Sequence, residues 1–85
     1  MEKDVEISKH AWMQMAERGA TELEVHKAIR QGQKEPALLG RVMYRKNFQF
    51  DGSWRERRYR IKQVAPVVAD EGDELVVVTV YVYYF

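Results

Sequence analysis

The chain has 85 residues, no cysteine and a formal net charge of +1, with 46% hydrophobic and 32% charged residues. This composition indicates one globular domain and argues against a disordered chain and against a disulfide framework. The start of the chain lacks the apolar run of a signal peptide, and the apolar run at residues 75–85 is too short for a membrane helix. We therefore expect a single domain over residues 1–85, located in the cytoplasm and not associated with a membrane.

The charge is distributed unevenly along the chain. Residues 1–40 carry six basic and seven acidic side chains, residues 41–62 carry eight basic and two acidic ones, and residues 63–85 carry four acidic ones. The middle segment therefore has a net charge of +6 within a nearly neutral protein. Such a block indicates a local binding surface for a negatively charged partner.

Two helices are predicted in the first third of the chain. Ser8 can cap the first helix, and Gly19 can end it in the left-handed conformation. Thr21 and Glu24 form a capping box that begins a second helix, which Gly32 ends. The short break between the helices predicts a tight helical hairpin or corner.

His10, Gln14 and Arg18 form a row along the first predicted helix, at one edge of its apolar arc. Residues spaced by four line up on a helical surface, so the row extends over about two turns. A histidine near the start of a helix is ordinarily a surface or capping residue. Arg18 in the last turn also suits the helix dipole without any further role.

Residues 41–62 are predicted to form a β-hairpin. Its turn is expected at Asp51-Gly52, because both positions of a tight primed turn need a positive φ. With a two-residue loop, the alternating side chains separate into an apolar face and a basic face. The predicted basic face consists of Arg41, Arg45, Arg58, Arg60 and Lys62.

This basic face would bring like charges opposite one another, which weakens a sheet. A polyanion lying across the face would relieve the repulsion. The alternative is a solvated face whose flexible basic side chains extend into water. Both interpretations depend on the register, since a loop of odd length would exchange the faces and scatter the charge.

The rest of the chain completes a sheet. Residues 33–39 are predicted to be a crossing loop with room for a short edge strand, and Pro66 marks a bulge or an edge position. Residues 70–74, with the sequence DEGDE, form an acidic turn. Residues 75–85 are apolar and uncharged, which predicts a strand in the centre of the sheet.

The predicted fold class is α+β, with two N-terminal helices packed on one face of a curved antiparallel sheet of three to four strands. The other face of the sheet is partly open. With a bulge at Pro66, the even-numbered valines of the last strand face the helices, and Thr79 and Tyr81 share the basic face.

The sequence contains no metal-binding spacing, no phosphate-binding loop, no dinucleotide fingerprint and no serine nucleophile motif. Neither a metal nor a cofactor is expected. Cleavage of RNA by acid–base chemistry stays open, because the 2′-hydroxyl of RNA is itself the nucleophile. The protein would then supply a proton acceptor, a proton donor and cations. Candidates for these roles are His10, Tyr81 or Tyr59, and Arg18, Arg45, Arg58 or Arg60.

Three short motifs carry a resemblance to a known family. They are Ser8-Lys9-His10-Ala11, Glu17-Arg18-Gly19-Ala20-Thr21 and Val76-Val77-Val78-Thr79-Val80-Tyr81. In order and spacing, over about residues 7 to 82, the chain resembles a small prokaryotic family of domains of unknown function. That family is grouped with the barnase–EndoU–colicin–RelE superfold of metal-independent ribonucleases, many of which are toxins of toxin–antitoxin pairs.

The resemblance implies a single RelE-like domain, RNA as the substrate, cleavage through the 2′-hydroxyl and an antitoxin as protein partner. It points to His10, Arg18, Thr79 and Tyr81 as site residues. Gln14 stands where the family commonly has Arg. The resemblance therefore implies a weakened activity, unless another arginine takes that place.

Two functions are expected from these observations. The first is a metal-independent endoribonuclease, the toxin of a toxin–antitoxin pair; the alternative is a non-catalytic RNA- or partner-binding module of the same fold. A homodimer with an apolar patch at residues 83–85 is a third. The expected catalytic residues are His10, Arg18, Arg58, Thr79 and Tyr81, and the expected RNA-binding residues are Arg41, Arg45, Arg60 and Lys62.

One question about the helix row stays open at this point. If the helices cover one face of the sheet and the arginines lie on the other, His10 reaches the basic face only around an edge. Either His10 lies at the rim of the sheet, or the helix motif is structural and the sheet alone carries the function.

Overall fold

The computed structural model describes residues 3–85. Two helices and a five-stranded mixed sheet make up the fold, which confirms the predicted α+β class with two N-terminal helices. In chain order the elements are β1 (Asp4–Ile7), α1 (Lys9–Arg18), α2 (Glu22–Gln31), β2 (Gln33–Pro36), a 3₁₀ turn (Leu38–Gly40), β3 (Val42–Trp54), β4 (Arg57–Asp70) and β5 (Glu74–Tyr84).

Local capping signals place both helices where the sequence predicts them. The Ser8 hydroxyl accepts a hydrogen bond from the Ala11 N–H (3.1 Å), and Gly19 ends α1 with a φ of 85°. At the start of α2, the side chains of Thr21 and Glu24 each accept the backbone N–H of the other residue. The helix boundaries therefore follow from short-range hydrogen bonds that the sequence alone makes visible.

The strands lie in the order β1-β5-β4-β3-β2, and the sheet does not close. β1 pairs with β5 in parallel, from Asp4 opposite Glu74 to Ile7 opposite Val77, and the other pairs are antiparallel. The sequence predicted three to four antiparallel strands, and the structure adds the parallel edge strand β1. β1 has four residues and finds its partner near the other end of the chain, so no local pattern signals it.

The β3–β4 hairpin is longer than predicted, because its turn lies at Arg55-Glu56. Both residues have a positive φ, 51° and 72°, as a primed two-residue turn requires. The predicted turn at Asp51-Gly52 is wrong. A β-bulge lies there instead, with Asp51 at a φ of 45°.

Packing around Tyr84 explains the displaced turn. Trp54 stacks on the Tyr84 ring, with the ring centroids 5.1 Å apart and the planes inclined by 12°. Phe50 and Tyr59 also contact that ring, at centroid distances of 5.4 and 5.5 Å. A turn at Asp51-Gly52 would move Trp54 to the second strand, so the aromatic contacts outweigh the local turn preference.

The displaced turn changes which side chains share a face, and the predicted basic face does not form. Lys62 is only 7% exposed and lies on the helical side of the sheet. Its ammonium contacts the Glu24 carboxylate (2.9 Å) and the Gly19 carbonyl (2.8 Å). The basic residues of segment 41–62 are therefore divided between the core, the open side of the sheet, the hairpin end and the β2–β3 loop.

The helices pack on one side of the sheet and enclose the core with it. Its buried residues are Ile7, Ala11, Met15, Val25, Val64, Val68, Val77 and Val80. In β5 a bulge whose extra residue is Val78 shifts the alternation, so Val77, Val80 and Val82 face the helices. The bulge therefore lies in β5 and not at Pro66, and the even-numbered valines face the helices only beyond it.

The other side of the sheet is covered by neither helix, and we call it the open face. Among residues 3–85, neither helix is long and apolar enough to cross a membrane.

Candidate nucleic-acid interface

The open face carries aromatic side chains at alternate positions along the last strand. Tyr81, Tyr83 and Phe85 have exposed fractions of 39%, 42% and 57%. We call these three residues the aromatic row. Single exposed apolar residues are common on protein surfaces, but neighbouring large ones indicate a binding surface.

A guanidinium lies over each tyrosine ring of the aromatic row. The Arg18 Cζ is 5.4 Å from the Tyr81 ring centroid, and the Arg45 Cζ is 5.7 Å from the Tyr83 ring centroid. Both distances lie within the range of cation–π attraction. The two tyrosine rings are 6.5 Å apart and inclined by 18°. Cations from α1 and β3 therefore bound the tyrosine pair on both sides.

Polar contacts hold Arg45 in place on the open face. Its Nε donates to Glu35 Oε1 (2.8 Å), and its Nη1 donates to Gln63 Oε1 (3.0 Å). The hydrogen bond to the Glu35 carboxylate raises the pKa of Arg45 above its ordinary value, so this group stays charged. Gln63 Nε2 in turn donates to Asn47 Oδ1 (2.8 Å), which places two amides beside the aromatic row.

The free edge of β5 is covered by α1. β1 pairs with β5 only as far as Val77, and the edge beyond it faces the helix. Gln14 Oε1 accepts hydrogen bonds from the Val80 N–H (2.9 Å) and from the Thr79 hydroxyl, and Arg18 Nη1 donates to the Val80 carbonyl (2.7 Å). These contacts satisfy backbone groups that an uncovered edge strand leaves free.

Gln14 and Arg18 of the helix row therefore lie at the rim of the sheet. Gln14 and Arg18 bind the edge of β5, and Arg18 connects this rim to the open face through its contact with Tyr81. His10 is exposed in the first turn of α1, one turn before Gln14.

The end of the β3–β4 hairpin concentrates positive charge. Arg55, Arg57, Arg58 and Arg60 are all exposed there. Arg55 Nη2 donates to the Glu17 carbonyl (3.0 Å), which fixes the hairpin end against the last turn of α1. Arg57 and Arg60 take part in no ion pair within residues 3–85. They are therefore available to a negatively charged ligand.

The structure brings together only part of the predicted site. Arg18, Thr79 and Tyr81 meet at the rim of β5. The other predicted residues are dispersed: Arg45 lies on the open face, Arg58 and Arg60 at the hairpin end, Arg41 after the β2–β3 turn, and Lys62 in the core. The catalytic and RNA-binding roles of these residues stay predictions.

Three residues of the open face have no place in the predicted site. From the sequence, Tyr83 was assigned to the apolar patch of a homodimer. Its spacing of two residues from Tyr81 nevertheless indicates that both side chains lie on the same face of the strand. Gln63 and Asn47 join the site because they pair across β3 and β4. That pairing depends on the hairpin register, which no local signal fixes.

Among residues 3–85, no group of three or more His, Cys, Asp or Glu side chains is arranged to hold a metal ion.

Comparisons with family models, with curated proteins and with solved structures find no match to this chain. The geometry of the open face and its rim is therefore the basis for assigning a function.

Proposed function

We propose that this protein binds single-stranded RNA on the open face of the sheet. The observation that carries the proposal is the exposed pair Tyr81 and Tyr83 with a guanidinium over each ring. Successive bases stack on aromatic side chains, and each such contact contributes about 1–3 kcal/mol. Each guanidinium lies over one face of its ring, so a base that stacks there displaces the guanidinium, which is then free to pair with a phosphate.

Polar groups around the tyrosine pair support RNA as the ligand. Gln63 and Asn47 present amide groups that can hydrogen-bond base edges or the 2′-hydroxyl. Arg57 and Arg60 at the hairpin end can hold further phosphates. Glu35 is the carboxylate next to this surface, and Arg45 neutralises it. RNA is also the substrate class that the family resemblance implies.

The proposal is tested by titrating the protein into labelled single-stranded RNA about ten nucleotides long, a typical site size for such surfaces. Tyr81→Ala and Tyr83→Ala should each weaken binding about 5- to 150-fold, which corresponds to the loss of one stacked base. Trp12→Ala is the matched control, because Trp12 is 45% exposed on α1 and outside the open face. It should leave the affinity unchanged.

Salt dependence separates the stacking contacts from the phosphate contacts. Arg57→Gln should reduce the slope of log K against log salt by about 0.7 if it contacts one phosphate, whereas Tyr83→Ala should leave the slope unchanged. Unchanged affinity of a folded Tyr81→Ala/Tyr83→Ala double variant would refute binding on the open face.

Cleavage of the bound RNA is the second candidate function. It is favoured by the meeting of Arg18, Thr79 and Tyr81 at the rim of β5, since Arg18 belongs to the same helix row as His10. His10 would take the proton of the 2′-hydroxyl as that oxygen bonds to phosphorus. Tyr81 would give a proton to the 5′-oxygen as its bond to phosphorus breaks, which leaves a 2′,3′-cyclic phosphate. Arg18 would stabilise the phosphorane charge.

Incubation of a mixed RNA pool in EDTA decides between binding and cleavage. Products that end in cyclic phosphate and are absent with His10→Ala would establish cleavage. RNA that stays intact across a range of pH, while the protein still binds it, would leave the binding function alone. Gln14 stands where the resembled family commonly has Arg, so we expect slow cleavage or none from the native chain.

A further inference from the structure

Two adjacent leucines occupy the tip of the β2–β3 loop with almost no protein contact. Leu38 and Leu39 are 87% and 84% exposed, the highest values among the large apolar residues of the described chain. We call this pair the leucine prong. One exposed leucine needs no explanation, but two adjacent ones at a loop tip expose an apolar patch.

The backbone of the leucine prong is fixed and strained. Leu39 has φ and ψ of 61° and 35°, and Gly40 follows with a φ of 71°. The loop is closed by hydrogen bonds from the Ala37 N–H to the Arg41 carbonyl (2.9 Å) and from the Arg41 N–H to the Leu38 carbonyl (3.2 Å). A leucine in the left-handed region costs roughly 1–2 kcal/mol, which asparagine or glycine would largely avoid. Leu39 therefore gives the monomer neither packing nor a relaxed backbone.

A shallow, open hollow lies directly beside the prong. It has a volume of about 390 Å³ and is lined by Lys34, Glu35, Pro36, Ala37, Gly40, Arg41 and Val42. A projection and a hollow side by side on one surface are self-complementary. Under a two-fold axis, each copy can place its prong in the hollow of the other.

The charges at this end of the sheet are self-complementary as well. Val42 pairs with Val68, so the β2–β3 loop lies beside the end of β4, where the acidic turn begins. In that turn Glu71 and Asp73 are exposed and take part in no ion pair within residues 3–85. Arg41 is half-buried and also takes part in no ion pair within residues 3–85. A two-fold axis through the prong would bring Arg41 of each copy towards the acidic turn of the other.

We propose that the end of the sheet formed by the leucine prong, its hollow and the acidic turn is a homodimer interface. Each copy buries its prong in the partner's hollow, and Arg41 pairs with the partner's acidic turn. A prong of fixed shape suits a shaped hollow better than a fluid lipid surface. The contact area is small, so the expected dissociation constant is in the range of about 10 µM to 1 mM.

Sedimentation equilibrium of the RNA-free protein, from about 10 µM to 1 mM, measures this association. The wild type should dimerise, and Leu39→Asn should raise the dissociation constant about tenfold or more because the prong loses its apolar end. The same change should leave thermal stability equal or higher, since asparagine tolerates the left-handed conformation. Leu23→Asn is the matched control, because Leu23 is 64% exposed on α2 and should not affect association.

Charge reversal tests the ionic part of the interface. Arg41→Glu and Asp73→Lys should each weaken self-association, and a mixture of the two variants should form a heterodimer. A wild type that stays monomeric over the whole concentration range overturns the proposal. This conclusion holds even if the monomer cosediments with vesicles of anionic lipid through the prong. A dimer that Leu39→Asn leaves unchanged overturns it too, because the interface would then lie elsewhere. RNA is absent throughout, so the result is independent of RNA binding.

Discussion

Lys62 shows how a basic residue becomes part of the interior. Its ammonium lies 2.9 Å from a Glu24 carboxylate oxygen and 2.8 Å from the Gly19 carbonyl, and 5.5 Å from the Phe50 ring centroid. The same Glu24 carboxylate also accepts the Thr21 N–H at the start of α2 (2.9 Å). A buried charge is tolerated only when such partners compensate its desolvation. Lys62 therefore ties β4 to the junction between the helices.

Removing the Lys62 ammonium should destabilise the fold strongly. In Lys62→Met the side-chain volume is kept, but the Glu24 carboxylate and the Gly19 carbonyl lose their donor. We expect a loss of about 2–4 kcal/mol in the free energy of unfolding, measured by urea denaturation. Lys27→Met on the exposed side of α2 is the control and should change it by less than about 0.5 kcal/mol. A loss for Lys62→Met as small as that of the control would contradict the buried ion pair.

At the scale of elements, the position of the hairpin turn determines the open face. Glu56 lies in the turn with a φ of 72°, is exposed, and takes part in no ion pair within residues 3–85. Glu56→Gly should therefore stabilise the protein by about 1 kcal/mol, because glycine adopts this conformation without strain. With a turn at Asp51-Gly52, residue 56 would lie within a strand, and glycine there would destabilise by about 0.5–1 kcal/mol. The sign of the change in urea denaturation distinguishes the two registers.

The same elements show what the sequence can and cannot predict. The helices follow from Ser8, Gly19, Thr21 and Glu24, whose effects reach only a few residues along the chain. The hairpin register follows from contacts with Tyr84, which lies on another strand and far along the chain. Tertiary packing of this kind overrides a local turn signal, and a four-residue parallel strand such as β1 gives hardly any local signal.

The residues of the candidate site also fall into those that local patterns predict and those that only tertiary packing places. Helical periodicity predicts that His10, Gln14 and Arg18 share one row, but the contact of Arg18 with β5 appears only in the structure. The neighbourhood of Tyr83, Arg45, Gln63 and Asn47 depends on strand order and register. It becomes visible only when all strands are in place. The row on α1 was therefore predictable, and its strand partner and the residues that complete the open face were not.

At the scale of the whole molecule, β1 holds the N-terminal segment against the last strand, β5. It pairs with the start of β5, and Ile7 contributes to the core there. Next to this pair, the Lys3 ammonium binds Asp70 at the end of β4 with both carboxylate oxygens 2.7 Å away. The described residues extend over 41 × 23 × 23 Å, and the contact between Lys3 and Asp70 lies at the same end of the sheet as the acidic turn.

This contact gives the fold a dependence on acid. Hydrogen bonds from the Lys3 ammonium, and then from the Gly72 N–H (3.0 Å), lower the pKa of Asp70 below its ordinary value of 3.8. The unfolded chain therefore binds this proton more readily than the folded one, and the stabilisation is present above pH 3.8 and is lost as the pH falls through the lowered pKa. The urea midpoint of the wild type should fall more steeply than that of Asp70→Asn between about pH 5 and pH 2. Asp73→Asn is the control, because it removes a carboxylate of the same turn that takes part in no ion pair within residues 3–85. This variant should keep the steep decline of the wild type. Parallel curves for the wild type and Asp70→Asn would show that Lys3 does not hold the chain ends together in solution.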